Sequence, residues 1–99
     1  EFQNRHLASL VWAFAKLGVH NQMMLSAAGQ VVIGRVHTLS PLQMSNLCWG
    51  FAKADFELQH LFDDLTPVIV ARAGEFWPQH LSTILWSYAS LHVEGSQRV

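Results

Sequence analysis

The apolar residues of this chain recur at helical spacing. Leu7, Leu10, Phe14 and Leu17 follow one another at i, i+3, i+7 and i+10, which is the pattern of an amphipathic helix. A second apolar set with helical spacing runs from residue 22 to residue 36, and both kinds of set return further along the chain. The pattern therefore predicts an all-α fold in which two kinds of helix, A and B, alternate.

The helical pattern returns with a fixed period. Trp12, Trp49 and Trp86 lie 37 residues apart in matching segments, namely LVWAFAKLG, LCWGFAKAD and ILWSYASLH. A constant period of roughly 20–50 residues is typical of solenoids, in which each repeat packs on its neighbours. We therefore predict an α-solenoid of antiparallel helix-turn-helix hairpins with a 37-residue repeat. The predicted units are repeat 1 in residues 1–38, repeat 2 in 39–75, and a partial repeat 3, first helix only, in 76–99.

Local signals mark where the A helices begin and end. Ser40 is placed as the N-cap of the second helix A, with Pro41 at its first position and Gln43 completing a capping box. Pro78 holds the same place in the third helix A. Gly18 is placed to end the first helix A, because glycine tolerates the backbone conformation of a helix C-cap.

Pro67 interrupts the pattern of the second helix B. A proline inside a helix removes one backbone hydrogen bond and clashes with the preceding turn. The pair Thr66-Pro67 could alternatively cap a new helix. We therefore expect a kink or a break at this point.

Composition and charge narrow the class of protein. Of the 99 residues, 51% are hydrophobic and 13% are charged, a balance too apolar for a disordered segment. The net charge is −1, so the chain as a whole lacks the basic footprint usual in a free-standing nucleic-acid binder. The charge is uneven, because residues 2–38 carry three basic side chains and no acidic one, whereas residues 39–75 carry five acidic and two basic ones.

Several function classes find no support in the sequence. The single cysteine, Cys48, aligns with Val11 and Leu85, so we expect a buried, unreactive thiol. None of the six histidines pairs at i, i+4, and no Cys/His cluster, phosphate-binding loop or nucleophile elbow occurs. No apolar stretch reaches the ~18 residues of a membrane span. We therefore predict no enzyme activity, no catalytic residue, no metal or other cofactor, no small-molecule substrate and no membrane partner.

Three segments resemble a family of helical repeats: FQNRHLASLVWAFAKLG, LSPLQMSNLCWGFAKAD and FWPQHLSTILWSYASL. They resemble the octotricopeptide repeats and, with their 37-residue period, the heptatricopeptide repeats of RAP-domain proteins. The resemblance covers almost the whole chain. It implies an α-solenoid that binds single-stranded RNA along its concave side, with ribosomal RNA as one candidate. It also implies a role in RNA processing, stability or translation, or as a ribosome-associated component, in the mitochondrion or alternatively the chloroplast or another plastid.

The polar residues of the A helices form a column across the repeats. Ser9, Asn46 and Thr83 are equivalent, and spacings of four and three residues keep the flanking positions on one helix face. Such a face suits recognition of one base per repeat, while basic side chains contact phosphates. The column continues four residues later at Ala13, Gly50 and Ser87. The predicted RNA-binding residues are Arg5, His6, Ser9, Lys16, Arg35, Gln43, Asn46, Lys53, Arg72, Gln79, His80 and Thr83.

Two other interpretations of this column stay open. Polar residues on an exposed helix need no function, and the same face could instead dock another protein. The alternative function is a structural protein–protein scaffold within a large organellar assembly such as a mitochondrial ribosome, which the weak net charge favours. Because one helical hairpin cannot bury its apolar face alone, we also expect the chain to pack on neighbouring repeats or other proteins.

The periodic tryptophans have two interpretations of their own. Exposed indoles can serve as stacking platforms for bases, whereas buried indoles would pack between repeats. Because Trp12, Trp49 and Trp86 stand within largely apolar segments, we predict that they are buried and pack between repeats. Trp77 is different, because it aligns with Ser40 at a helix start, and we expect it to be partly exposed.

The acidic residues indicate where RNA would not lie. Carboxylates repel phosphate, and repeat 2 contains a cluster of them: Asp55, Glu57, Asp63 and Asp64. Asp63 and Asp64 fall on the second helix B. We therefore expect the B helices to form the outer, convex layer and the A helices to carry the RNA-binding surface.

Overall fold

The fold is all-helical in the part of the chain that the computed structural model describes, residues 4–18, 21–56 and 58–91. This part contains no β-strand, which confirms the predicted all-α class. Its α-helices are α1 (Asn4–Leu17), α2 (Gln22–Val32), α3 (Pro41–Lys53), α4 (Gln59–Ala71) and α5 (Pro78–Leu91). Short 3-10 turns, Val36–Thr38 and Ala73–Glu75, precede α3 and α5.

The predicted helix boundaries of the A type are confirmed. The Ser40 hydroxyl oxygen accepts a hydrogen bond from the Gln43 backbone N–H at 3.1 Å, and Gln43 Oε1 accepts one from the Ser40 N–H at 2.9 Å. Both halves of the capping box therefore form. Pro41 and Pro78 are the first residues of α3 and α5. Gly18 follows α1 with a φ of 74°, a left-handed conformation that costs glycine little.

The B helices differ from expectation in two respects. Pro67 lies inside α4, which is one continuous helix, so the chain does not break there. The preceding turn is held by the Thr66 hydroxyl, which donates to the Phe62 carbonyl oxygen at 2.8 Å and lies 2.9 Å from the Tyr88 hydroxyl of α5. The other B helix, α2, ends before the predicted residue 36, because Gly34 takes a left-handed φ of 93°.

The A-type helices α1, α3 and α5 lie side by side in one layer. Gly50 of α3 permits the close approach of α1, because a Cβ atom at residue 50 would lie 2.5 Å from Val11 Cγ1. The B-type helices pack on the side of α3 that carries Phe51. The Phe51 ring lies 6.5 Å from the Phe62 ring of α4, and a Cβ atom on Gly29 of α2 would lie 3.4 Å from the same ring.

The hydrophobic core fills the space between these two layers. Its largest side chains are completely buried, and the set drawn from α3 and α4 is Met44, Leu47, Phe51, Leu61, Phe62 and Leu65. Leu17 and Leu85 depart from the expected apolar pattern, since they are 77% and 68% exposed. Leu17 is the last residue of α1, and Leu85 lies on a side of α5 that no described helix covers.

Candidate nucleic-acid interface

One surface of α1, α3 and α5 presents an ordered set of side chains that we call the tryptophan face. On each helix these residues are spaced at i, i+4, i+7 and i+11, which places them along one stripe. The members are Arg5, Ser9, Trp12 and Lys16 on α1, Leu42, Asn46, Trp49 and Lys53 on α3, and Gln79, Thr83, Trp86 and Ser90 on α5. All of them are exposed or half-buried. The core lies on the other side of α3, because Trp49 and Phe51 point about 200° apart around the helix axis.

The tryptophans are surface residues, so the predicted burial is wrong. Trp12 is 40% exposed, Trp86 is 48% exposed and Trp49 is half-buried. The expected contact between neighbouring A helices does exist for one pair, since the ring centroids of Trp12 and Trp49 are 6.1 Å apart with the planes tilted by 36°. This contact forms at the surface, where part of each indole is accessible to a ligand.

Small residues of the predicted column are buried, whereas the tryptophans beside them are not. Gly50 and Ser87, which the sequence placed in the middle of the polar face, are both buried. Gly50 faces Val11 of α1, and the Ser87 hydroxyl donates to the Thr83 carbonyl oxygen at 2.7 Å within α5. The contact between α1 and α3 therefore uses the small residue at position 50, and the neighbouring tryptophan position faces solvent.

Lysines accompany two of the three indoles. Lys16 Nζ lies 5.4 Å from the ring centroid of Trp12, and Lys53 Nζ lies 5.9 Å from that of Trp49. Both distances fall in the range of a cation–π contact. Each lysine also stands in the last turn of its helix, where a positive charge is favourable without any ligand. In α5 the equivalent position is Ser90.

Two adjoining clefts open on the tryptophan face. The first, of about 320 Å³, is lined by Trp49, Lys53, Ser82, Thr83 and Trp86. The second, of about 410 Å³, is lined by Trp12, Leu42, Ser45, Asn46, Trp49, Gln79, His80 and Thr83. Trp49 and Thr83 belong to both linings. Each volume is at the lower end of the range of ligand clefts, ~300–1,000 Å³.

The clefts bring together five of the residues predicted from the sequence, namely Asn46, Lys53, Gln79, His80 and Thr83. Four more predicted residues lie on α1 and are exposed, but they line neither of these clefts: Arg5, His6, Ser9 and Lys16. The other lining residues were not among the predicted RNA-binding residues: the three indoles, Leu42, Ser45 and Ser82. The spacing i, i+4, i+7 places the indoles and Leu42 on the same helix stripe as the predicted polar residues, and it could have identified them.

Hydrogen bonds within the chain engage several of the predicted side chains. The Oε1 atom of Gln43 belongs to the capping box of α3. His80 Nδ1 accepts a hydrogen bond from the Trp77 backbone N–H at 3.4 Å, and the two rings are stacked 6.1 Å apart. The Thr83 hydroxyl donates to the Gln79 carbonyl oxygen at 2.9 Å. It therefore faces the clefts as a hydrogen-bond acceptor.

The two predicted arginines outside the A helices lie off the tryptophan face. Arg72 Nη1 donates to the Leu39 carbonyl oxygen at 2.7 Å, and Nε and Nη2 donate to the Glu75 carboxylate at 3.0 and 2.9 Å. These contacts tie the end of α4 to the segment before α3, which is a structural role. Arg35 occupies the equivalent turn after α2 and is half-buried.

The charges on this surface favour a negatively charged ligand. Helices α1, α3 and α5 contain three basic residues, Arg5, Lys16 and Lys53, and no aspartate or glutamate. The acidic residues of the described part lie elsewhere: Asp55 in the turn after α3, Asp63 and Asp64 on α4, and Glu75 in the 3-10 turn before α5. Asp63 and Asp64 lie on α4, which packs on the core side of α3 and not on the tryptophan face.

Buried titratable groups lie away from this surface. Cys48 is completely buried, as the sequence predicted, and burial raises the pKa of its thiol to about 12. Burial likewise raises the pKa of Tyr88, with a smaller contribution from Cys48. Within the described residues, no group of three His, Cys, Asp or Glu side chains could hold a metal ion.

A comparison of the chain with protein-family models, with curated proteins and with solved structures finds no match. None of the described helices is both long enough and apolar enough to cross a membrane. The tryptophan face and the sequence resemblance are therefore the features that indicate a function.

Proposed function

We propose that the chain is a non-catalytic, RNA-binding module of an organellar helical-repeat protein and that it binds single-stranded RNA, such as ribosomal RNA, across the tryptophan face. The observation that carries this proposal is the combination of exposed indoles and lysines on helices that contain no acidic residue. Proteins that bind single strands combine a positive groove with aromatic side chains on which bases stack. The sequence resemblance supports the same function, in RNA processing, stability or translation, and a location in the mitochondrion or alternatively a plastid.

The side chains of the face divide into two kinds of contact. Lys16 and Lys53 stand at equivalent places on neighbouring helices, where their ammonium groups would follow successive phosphates of one strand. Asn46 and Gln79 line the second cleft with amide groups, which can both donate to and accept from the edge of an unpaired base. Phosphate contacts would therefore hold the strand, and amide contacts would select bases.

We extend the proposal to the architecture, an α-solenoid with a 37-residue repeat. Two observations support it: α3 and α5 both begin at a proline that follows a 3-10 turn, and the A-type helices lie in one layer. In such an array each further repeat would add an indole to the tryptophan face. The length of bound RNA would then grow with the number of repeats.

Salt dependence of RNA binding tests the proposed function. The affinity of the chain for a short fluorescein-labelled single-stranded RNA is measured by fluorescence anisotropy over a series of salt concentrations. The logarithm of the affinity should fall linearly with the logarithm of the salt concentration, by about 0.7 per phosphate contact. Lys53→Ala should reduce the slope by about that amount. Absence of binding at low salt, or binding that ignores salt, would contradict the proposal.

A second candidate function, a protein–protein scaffold, is favoured by Leu85. This side chain is 68% exposed, whereas Val11 and Cys48 at the equivalent positions of α1 and α3 are completely buried. A helix of another protein or repeat seated on α5 would bury Leu85 in the same way. If this is the function, Leu85→Ser should abolish association with that partner in sedimentation experiments and leave any RNA affinity unchanged.

A further inference from the structure

The three indoles of the tryptophan face have different surroundings. Trp12 and Trp49 contact each other, and each has a lysine ammonium group over its ring. At α5 the place of that lysine is taken by Ser90, whose side chain is too short to extend across an indole. Trp86 is accordingly the more exposed of the two outer indoles, at 48% against 40% for Trp12. Its ring is therefore available to a ligand without displacing a cation.

The first cleft is lined by this indole together with that of Trp49. The two tryptophans, the stem and ammonium group of Lys53, and the hydroxyl groups of Ser82 and Thr83 form its lining. Its composition is that of a site for a flat, partly polar ring: aromatic walls, hydroxyl groups for the ring edge, and a cation beside them.

We propose that this cleft holds one unpaired base of the bound RNA strand, stacked on the indole of Trp86, with the Lys53 ammonium group against a neighbouring phosphate. The inference depends on the proposed function, since it names the contact by which the tryptophan face would hold a strand. It gives Trp49 and Trp86 a binding role that their apolar sequence context does not indicate.

Charge favours a nucleotide over a protein side chain in this cleft. The helices that border it, α3 and α5, contain Lys53 as their one Lys or Arg and contain no aspartate or glutamate. A stacked base brings a phosphate with it, which pairs with this ammonium group, whereas an aromatic side chain of a protein brings no charge. Stacking on indole is also tolerant of sequence, because every base has a π face.

Substitution of Trp86 tests the inference, with RNA affinity of the full chain measured by anisotropy. Trp86→Leu should weaken binding by about 5- to 150-fold, the range found when one base–aromatic stack is removed. Trp86→Phe keeps an aromatic face and should recover most of this loss. Trp77→Leu is the matched control, since Trp77 is 65% exposed but lines neither cleft. The RNA affinity of this variant should equal that of the wild type.

A strand with abasic sugars in place of every base separates stacking from phosphate contacts. Wild type and Trp86→Leu should bind the abasic strand equally, because neither can stack on it, and Lys53→Ala should still weaken that binding. Equal affinity of wild type and Trp86→Leu for the normal strand would overturn the inference but leave the proposed function standing. A loss in Trp86→Leu that is as large on the abasic strand would also overturn it. If the wild-type chain binds no RNA at low salt, the proposed function and the inference both fail.

Discussion

The backbone of Gly50 lies directly against the side chain of Val11. A Cβ atom at residue 50 would meet Val11 Cγ1 at 2.5 Å and the Val11 carbonyl carbon at 3.1 Å, so only glycine fits without a shift of α1 or α3. This contact fixes how closely the two helices approach. Trp12 and Trp49, whose ring centroids are 6.1 Å apart, stand one residue before Ala13 and Gly50 on the same two helices.

Gly50→Ala should therefore destabilise the fold. Overpacking costs ~1–3 kcal/mol, and the gain in helix propensity returns ~1 kcal/mol, so we expect a net loss of up to about 2 kcal/mol in the free energy of unfolding. Urea denaturation measures it. Gly74→Ala is the control, since a Cβ atom there meets nothing within 4 Å, and its stability should equal or slightly exceed the wild type. A more stable Gly50→Ala variant would contradict the packing described here.

The thiol of Cys48 should resist alkylation as long as the chain is folded. Burial raises its pKa from 9.0 to about 12, so the thiolate fraction near pH 8 falls by a factor on the order of 1,000 relative to the unfolded chain. Iodoacetamide should modify the native protein far more slowly than the protein in urea. Equal rates in the two conditions would show that the thiol is accessible.

The same pKa shift predicts how stability depends on pH. Between pH 9 and 12 the unfolded chain loses the Cys48 proton while the folded chain keeps it. The contribution of the protonated Cys48 thiol to stability is thus fully present below pH 9. The free energy of unfolding should decrease as the pH rises towards 12. Cys48→Ala should reduce this decrease without removing it, because the pKa of Tyr88 is raised in the same direction. Urea titrations at several pH values measure the effect, and an unchanged slope in Cys48→Ala would rule out this origin.

Arg72 and Lys53 should respond in opposite ways to removal of their charge. Arg72→Ala removes the donor to the Leu39 carbonyl oxygen, and we expect the free energy of unfolding to fall by about 1–2 kcal/mol with the salt dependence of RNA binding unchanged. Lys53→Ala should leave stability nearly unchanged and reduce the salt dependence. Urea denaturation and anisotropy titrations distinguish the two effects. A reduced salt dependence of RNA binding in Arg72→Ala would show that Arg72 contacts RNA.

Asn46→Ala should alter base preference, because an amide in the second cleft can pair with the edge of one base more favourably than with another. The measurement is the affinity for oligomers of A, C and U under one salt condition. Lys53→Ala provides the comparison, since loss of a phosphate contact weakens binding to all three alike. If Asn46→Ala also lowers the three affinities by one common factor, Asn46 does not recognise bases.

Helix boundaries could be predicted from the sequence because their causes are local. Ser40, Pro41 and Gln43 are neighbours in sequence, and their hydrogen bonds form within one turn. The side of the helix that faces solvent has a different origin. On an ideal helix, the Trp12 side chain points about 40° and Ala13 about 60° from the mean direction of Arg5, Ser9 and Lys16. Sequence spacing alone therefore does not decide which of Trp12 and Ala13 faces solvent.

The packing of neighbouring helices decides between these two positions. Gly50 allows the close approach of α1 and is buried for that reason, and Ser87 is buried at the equivalent position of α5, whereas the indoles beside both residues lie at the surface. The clefts could not be predicted either, because their walls come from two or three helices whose separation is a tertiary property. The exposure of Leu85 could not be predicted for the same reason, since an apolar side chain does not show whether a further helix covers it.

The placement of charge in two layers gives this nearly neutral molecule an electric dipole moment. Lys16 and Lys53 stand on one side, and Asp63 and Asp64 belong to the helix that packs on the other. In the field of a polyanion such a dipole experiences a torque, even though the net charge of −1 gives a weak overall repulsion. The molecule would turn its indoles towards the polyanion before the two touch, so productive orientation would be selected during diffusion.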